Sequence, residues 1–178
     1  MTVLHIDSSI SGAGSASREI TRSIVDRLAG ERIVYRDLVA EPLEHLTERG
    51  QDRHLLDEFL SAETVVIGAP MYNFTLPTQL KAWIDRIVVA GETFRYTESG
   101  PEGLASGKRV IIALARGGFY DAGSPAAGVE HLESYLRGIF GFIGIAPEFV
   151  AADGLNMGPE QREQSLAAAL GETVRLAA

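Results

Sequence analysis

The chain contains no cysteine among its 178 residues. This absence excludes disulfides, thiolate nucleophiles and zinc or iron–sulfur sites held by cysteine. Basic residues are also scarce, since 16 Lys and Arg stand against 24 Asp and Glu and the net charge is −8. Proteins that bind nucleic acids owe most of their affinity to contacts of basic side chains with phosphates. Anionic membrane surfaces likewise attract basic segments. Neither partner is therefore expected.

Long apolar runs are missing as well. The longest, residues 110–115, is far shorter than the roughly 20 residues that cross a bilayer as a helix. No basic region precedes the first apolar segment, so no signal peptide is expected and the cytoplasm is the predicted compartment. The length and the 46% hydrophobic content predict a single domain over residues 1–178.

Segments typical of strands and helices alternate along the chain. Apolar runs predict strands at residues 3–7, 33–35, 65–69, 110–115 and 149–151. After each strand, apolar residues recur at helical spacing: Ile20, Ile24, Val25 and Leu28; Leu55, Phe59 and Leu60; Leu80, Trp83, Ile84, Ile87 and Val88; Val129, Leu132, Leu136 and Ile139; Leu166, Leu170 and Val174. Such alternation predicts an α/β fold with a doubly wound five-stranded parallel sheet. Strands 65–69 and 110–115 are apolar throughout, which is typical of strands with helices on both faces.

Two connections do not fit this alternation. Residues 38–50 form a polar connection with one proline. Residues 91–107 predict a short strand and a turn, inserted before the fourth strand of the sheet.

The loop after the first strand, residues 8–18, is rich in serine and glycine and leads into the first helix. A helix start has unpaired N–H groups and the positive end of the helix dipole, so it binds phosphate readily. Serine hydroxyls add donors, and glycines allow a close approach of the backbone. The loop therefore predicts a phosphate site, although Ser15 or Ser17 alone could be an ordinary N-cap.

Two further loops have unusual compositions. Ala69-Pro70-Met71-Tyr72-Asn73-Phe74 follows the third strand, and Ala115-Arg116-Gly117-Gly118 follows the fourth. In open α/β sheets such loops meet at the carboxyl edge, where ligands bind. Apolar rings beside exposed amides suit a planar heteroaromatic such as a flavin, and glycine N–H groups suit its polar edge. The alternatives are core positions for the aromatic residues and a plain turn for the glycines.

Other ligand motifs fit less well. A dinucleotide fingerprint would need a glycine where Ser17 stands, and a Walker A loop would need Ser or Thr at Arg109. A receiver domain would need an acidic phosphoacceptor near Ala69. His5 lies in a strand and is interpreted as a satisfied core residue. No spacing indicates a metal site or a catalytic side chain, which suits a cofactor that supplies the chemistry.

Taken together, the motifs resemble the family of FMN-dependent NADH:quinone oxidoreductases and azoreductases, which has the flavodoxin-like fold with strand order 2-1-3-4-5. The resemblance covers nearly the whole chain. The matching segments are Asp7-Ser8-Ser9, Ser15-Ala16-Ser17, residues 69–74, 77–81 and 91–97, Gly100-Pro101-Glu102-Gly103-Leu104, Arg116-Gly117-Gly118 and residues 140–144.

The resemblance implies one FMN per subunit in a homodimer with two active sites at the subunit interface. NADH, or alternatively NADPH, would reduce FMN and leave before a quinone or an aromatic azo compound takes the electrons. The phosphate would lie at Ser9, Ser15, Ala16 and Ser17. The flavin ring would lie along Met71, Tyr72, Asn73 and Phe74 and against Ala115, Arg116, Gly117 and Gly118, with Tyr96 and Phe142 on the substrate side.

The chain departs from the family pattern at two places. The family usually has a longer segment between the second strand and the second helix than residues 46–54 supply, which bears on the substrate pocket and the dimer contacts. Ala115 stands where a hydroxyl residue is common. The alternative function is that of a flavodoxin-type electron carrier, which needs a separate reductase and usually lacks an insertion like residues 91–107. A scaffold without enzymatic activity is the interpretation that remains if FMN does not bind.

Overall fold

The structure, a computed structural model, describes residues 1–28 and 30–176. Its main sheet consists of five parallel strands in the order β2-β1-β3-β6-β7. These strands are β1 (Thr2–Asp7), β2 (Arg32–Asp37), β3 (Thr64–Pro70), β6 (Arg109–Ala115) and β7 (Glu148–Ala152). The predicted parallel sheet is confirmed. The predicted order 2-1-3-4-5 is also confirmed, because it numbers only the five strands of this sheet, so that its strands 4 and 5 are β6 and β7.

The insertion before β6 is an antiparallel hairpin of β4 (Phe94–Thr97) and β5 (Gly100–Gly103), which forms a separate two-stranded sheet. The polar connection between β2 and the second helix contains no strand or helix of its own up to Asp52. It is nevertheless anchored, because the buried Arg86 guanidinium donates to Asp52 Oδ2 and to the Glu44 carbonyl, both at 2.6 Å.

The helices are α1 (Ala16–Arg27), α2 (Arg53–Ser61), α3 (Thr78–Ile87), α4 (Glu133–Phe142) and α5 (Pro159–Leu176). None of these described helices is both long and apolar enough to cross a membrane.

The apolar side chains form two separate core clusters. Val65 and Ile67 of β3 belong to the cluster that contains residues of α2, α3 and α4, whereas Val66 belongs to the cluster with α1 and α5. Because successive strand residues point to opposite faces, the two clusters lie on opposite faces of the sheet. This arrangement explains why every residue of β3 is buried.

Two helix predictions need correction. Val129 was expected to start the fourth helical stripe, but α4 begins at Glu133 and Val129 is 37% exposed. The reason is that the Glu130 carboxylate accepts N–H bonds from Leu132, Glu133 and Ser134 and so caps the helix. In α5, Val174 is 52% exposed and Thr173 is buried instead.

The carboxyl ends of β1, β3 and β6 lie side by side in this sheet. The strand order reverses between β1 and β3, which is the position where open α/β sheets bind ligands. The Met71 N–H donates to the Ala115 carbonyl at 2.9 Å and extends the β3–β6 pairing into the loops. The loops after these three strands therefore start from one edge.

The pairing of β1 with β3 depends on a glycine. Gly68 lies beside Asp7, and a Cβ at position 68 would be 2.8 Å from Asp7 Oδ1. Asp7 is buried and held by the hydroxyls of Thr21 and Tyr35. We expect Gly68→Ala to lower the free energy of unfolding by about 1–3 kcal/mol, because the carboxylate has no room to move. Urea denaturation measures this.

The matched control is Gly138→Ala in α4. Gly138 is exposed, and a Cβ there would meet no atom within 4 Å. Alanine favours the helix, so this variant should be as stable as the wild type or more stable by up to about 1 kcal/mol. Equal losses of stability in the two variants would contradict the proposed role of Gly68.

Candidate functional site

The three loops after β1, β3 and β6 meet around a depression of about 240 Å³ at the carboxyl edge of the sheet. The predicted site residues that line this depression are Ser9, Ser15, Ala16, Met71, Tyr72, Ala115 and Gly117. Ser11, Gly14 and Pro70 of the same loops also line it. The structure thus brings parts of all three predicted loops together.

The first loop presents unpaired hydrogen-bond donors. Ser15 and Ser17 are buried, and their hydroxyl oxygens lie 3.1 Å apart. One hydroxyl proton suffices for this bond, so the other proton is available to a ligand. The N–H groups of Ala16 and Ser17, in the first turn of α1, donate to no acceptor in the described chain. This donor set suits a phosphate or another small anion.

Ser15 is also the N-cap of α1, because its hydroxyl accepts the Arg18 N–H at 3.3 Å. The capping interpretation is therefore correct for Ser15 and compatible with a ligand at the same hydroxyl. Ser9 is placed by the second loop, since its hydroxyl lies 3.3 Å from the Tyr72 hydroxyl.

The second loop turns sharply between Tyr72 and Thr75. These two residues exchange N–H···O bonds of 2.9 and 3.1 Å, and the residues between them, Asn73 and Phe74, have φ angles of 48° and 72°. A phenylalanine with positive φ is strained. The N–H groups of Asn73 and Phe74 have no acceptor within the described residues. Phe74 is 47% exposed, so the alternative core position does not apply to it.

The third loop is held by its carbonyl groups. The carbonyls of Arg116, Gly117 and Gly118 accept N–H bonds of 3.0–3.1 Å from three consecutive residues after β7. The N–H groups of Gly117 and Gly118 have no acceptor in the part of the chain that the structure describes. The loop thus leaves its donors free, as the flavin interpretation requires.

Arg116 has its polar groups committed within the protein. Its guanidinium donates to Asp153 at 2.5 and 2.9 Å and to Glu133 at 3.3 Å, and its N–H donates to the Ala152 carbonyl. These bonds join the third loop to α4 and to the segment after β7. A contact of Arg116 with a cofactor stays a prediction.

Tyr96 and Phe142 do not line the depression. Both rings pack against Phe94, whose ring centroid lies 5.4 Å from that of Tyr96 and 4.6 Å from that of Phe142. Tyr96 is 75% exposed and lines a second cavity of about 440 Å³, together with residues of the short connection before α2 such as Leu46. The predicted substrate-side residues thus form a group of their own.

Sequence reasoning missed a fourth segment of the depression. Leu155, Asn156 and Arg162 line it from the loop after β7 and from the first turn of α5. Their position in the sequence could have indicated them. They follow β7, which is the neighbour of β6 and ends at the same edge of the sheet.

Behind the first loop lies a network of charged side chains. The Arg18 guanidinium donates to the Ser9 carbonyl at 2.8 Å and to both Asp37 carboxylate oxygens at 2.7 and 2.8 Å. The hydrogen bonds from Arg18 lower the pKa of Asp37 to about 2. Arg18 thereby ties α1 and the end of β2 to the backbone of the candidate phosphate loop.

Asp7 extends this network into the core. Burial alone would raise the pKa of Asp7, but His5, the Thr21 hydroxyl and the Arg18 charge outweigh it and lower that pKa. His5 is buried as expected, yet it is not satisfied. Its Nε2 lies 3.5 Å from Asp7 Oδ1 and makes no hydrogen bond within the described residues.

The low pKa of Asp37 predicts a pH dependence of stability. Its folded pKa of about 2 lies below the ordinary value of 3.8, so its contribution is complete above about pH 4 and is lost as the pH falls through 2. We expect Asp37→Asn to be less stable than the wild type at pH 6, by about 1 kcal/mol for a partly exposed ion pair. The difference should shrink between pH 4 and pH 2 in chemical denaturation.

Asp57→Asn is the control for the loss of one carboxylate, because Asp57 forms an exposed ion pair with Arg53 on α2. A difference between Asp37→Asn and wild type that is constant from pH 6 to pH 2 would refute the assignment of the low pKa to Asp37.

Comparisons with known proteins agree with this geometry. A family model described as a flavodoxin-like fold matches residues 1–176. The FMN-dependent NADH:quinone oxidoreductase 2 of Bradyrhizobium diazoefficiens is 53% identical, with 100% of both chains covered. The FMN-dependent NADH:quinone oxidoreductase of Sinorhizobium fredii is 52% identical and covers 99% of this chain and 100% of its own.

The Bradyrhizobium alignment spans 201 positions against the 178 residues of this chain, so 23 positions of that relative have no counterpart here.

Solved structures are similar over the whole chain. An azoreductase from Bacillus anthracis superposes with a TM-score of 0.90 at 28% identity and covers 99% of this chain and 98% of its own. An FMN-dependent NADH-azoreductase from the same species, solved in complex with FMN, has a TM-score of 0.85 at 25% identity with 100% of both chains covered. The chain therefore belongs to the flavodoxin-like family of FMN-dependent NADH:quinone oxidoreductases.

Proposed function

We propose that this chain is an enzyme that binds FMN in the depression and passes two electrons from NADH to quinones or aromatic azo compounds. The observation that carries the proposal is the convergence of three loops whose N–H and hydroxyl donors are unpaired. The relatives named above are FMN-dependent NADH:quinone oxidoreductases, and the similar structures are azoreductases. Their names support the cofactor, the electron donor and the acceptor classes.

The three loops fit FMN, although Ser17, Asn73 and Phe74 lie next to the depression in sequence and do not line it. The spare hydroxyl proton of the Ser15–Ser17 pair and the N–H groups of Ala16 and Ser17 would hold the phosphate at the start of α1. Met71 and Phe74 would provide the apolar surface for the ring. The N–H groups of Asn73 and Gly117 would donate to its polar edge, where such donors stabilise the negative charge of the reduced form.

Bound FMN supplies the two-electron redox chemistry that no side chain of the site can supply. The chain's own part is to orient the reactants against the ring and to exclude water. NADH and the acceptor would use the exposed face of the flavin in turn, which is a ping-pong mechanism. No side chain is assigned as acid or base, and protons would come from solvent.

We also propose a homodimer in which the partner subunit completes the site. Tyr96 and Phe142 lie outside the depression, and Tyr96 projects from the β4–β5 hairpin with most of its surface exposed. We propose that these rings line the substrate side of the flavin that a second copy binds. The exposed position of Tyr96 is what such a contact needs.

The first test is cofactor binding and turnover. We expect the apoprotein to bind one FMN per chain, and NADH to bleach the flavin absorbance under anaerobic conditions. A quinone or an azo dye should then restore that absorbance, with steady turnover under NADH. Parallel assays with NADPH give the donor preference. Binding of FMN without bleaching by either nicotinamide would indicate an electron carrier, and no binding would refute the proposal.

The second test addresses the shared site. Tyr96→Ala should lower kcat/KM for the quinone about tenfold, since it removes an aromatic contact, and should leave the FMN affinity within about twofold. Val174→Ala, an exposed position on α5, is the control.

Co-expression of Tyr96→Ala with Ser17→Asp, which disables the phosphate site, should give about a quarter of wild-type activity, because random pairing leaves one intact site in half of the dimers. Activity no higher than that of either variant alone would contradict a shared site.

A further inference from the structure

Arg162 is the one charged residue among the described residues that line the depression. It lies in the first turn of α5 and is partly buried. Its Nη2 donates a 2.8 Å hydrogen bond to the carbonyl of Gly14, immediately before Ser15. A guanidinium therefore lies at the edge of the candidate phosphate loop, and the remaining N–H donors of this group are available to a ligand.

The charge of Arg162 is not neutralised by the protein. Within residues 1–28 and 30–176, no carboxylate oxygen lies within 4.0 Å of its guanidinium nitrogens. Arg18, the cation that belongs to the loop itself, is instead paired with Asp37 and bonded to the Ser9 carbonyl behind the loop. Arg162 is thus the cation on the ligand side.

The start of α5 is held in place relative to the site. Gly154, Leu155 and Asn156 donate consecutive N–H bonds to the carbonyls of the third loop, at 3.0, 3.1 and 3.0 Å. The Arg162 N–H donates to the Gly158 carbonyl at 3.0 Å and continues the helix from there. This backbone pairing places the start of α5 beside the first loop, where the Arg162 side chain reaches the Gly14 carbonyl.

A phosphate dianion would gain from a cation at this site. The donors of the first loop are neutral hydroxyls and amides, and the protein as a whole carries a net charge of −8. A phosphate monoester carries close to two negative charges at pH 7. A hydrogen bond from a guanidinium to phosphate is roughly twice as strong as a neutral one.

We infer that Arg162 binds the phosphate of the flavin cofactor and makes the site select FMN over riboflavin, the same flavin without phosphate. This inference rests on the proposed function. It assigns to α5 a charged contact with the phosphate, in addition to the neutral donors of the phosphate loop.

The experiment measures flavin affinity and needs no turnover. Apoprotein is titrated with FMN and, separately, with riboflavin, and the quenching of flavin fluorescence gives each Kd. We expect Arg162→Gln to weaken FMN binding about ten- to a hundredfold, the loss typical of one hydrogen bond to a charged group. The Kd for riboflavin should change less than about twofold.

The salt dependence separates a charge contact from support of the loop through Gly14. In the wild type, the affinity for FMN should fall as salt rises, and this slope should become shallower in Arg162→Gln, since an ionic contact is screened. Arg162→Lys keeps the charge, so it should recover part of the affinity and the wild-type slope. Arg175→Gln, an exposed position on the same helix, is the matched control and should behave as the wild type.

The outcomes are distinguishable. Equal weakening of FMN binding in Arg162→Gln and Arg162→Lys with unchanged salt slopes would overturn the inference and leave Arg162 as a support of Gly14. An unchanged FMN affinity in Arg162→Gln would overturn it as well. Failure of the wild-type chain to bind FMN would refute the proposed function and the inference with it. Thermal melting of each apoprotein checks that the variants fold.

Discussion

The parallel pairing of β1, β3 and β6 determines where everything at the candidate site lies. Three parallel neighbours end at one edge, so the loops that follow them must start close together. The close approach of β1 and β3 requires Gly68, because any side chain there would meet the buried Asp7 carboxylate. Asp7 in turn belongs to the network through which Arg18 holds the Ser9 carbonyl. The core of the sheet and the backbone of the first loop are therefore one connected unit.

The three loops share one principle of construction. Each is held by groups that a ligand does not need, and each leaves donors unpaired. The third loop is fixed through its carbonyls, the second through the bonds between Tyr72 and Thr75, and the first through the Ser15 cap and Arg18. In the second loop this arrangement costs backbone strain at Phe74. Donors preorganised in this way lose little on binding, which suits a cofactor held by main-chain contacts.

The donors and apolar side chains of the three loops suit binding and orientation of a cofactor, and the family to which the chain belongs depends on FMN. The aromatic group around Phe94 lies apart from the depression, which is why the proposed active site needs a second subunit. Arg162 adds a contribution from α5 that the motifs of the family resemblance do not include. Under these proposals, recognition would be divided among neutral loops, one cation and the aromatic residues of a partner subunit.

Much of the fold was predictable, because apolar periodicity reports burial directly. The all-apolar β3 predicted a strand covered on both faces, and the resemblance predicted the strand order. Periodicity failed at Val129, since the Glu130 carboxylate caps α4 after that residue, and at Val174, because Thr173 bonds to Ser23 of α1 and occupies the buried position instead.

By itself, the sequence determined the types of element, the three loops and the kind of ligand they suit, because these depend on residues close together in the chain. Only the tertiary structure decided that Arg162 reaches Gly14 across 148 positions, that Arg116 is bound to Asp153, and that Tyr96 lies outside the depression. Such contacts depend on how distant elements pack, and local patterns carry no information about that packing.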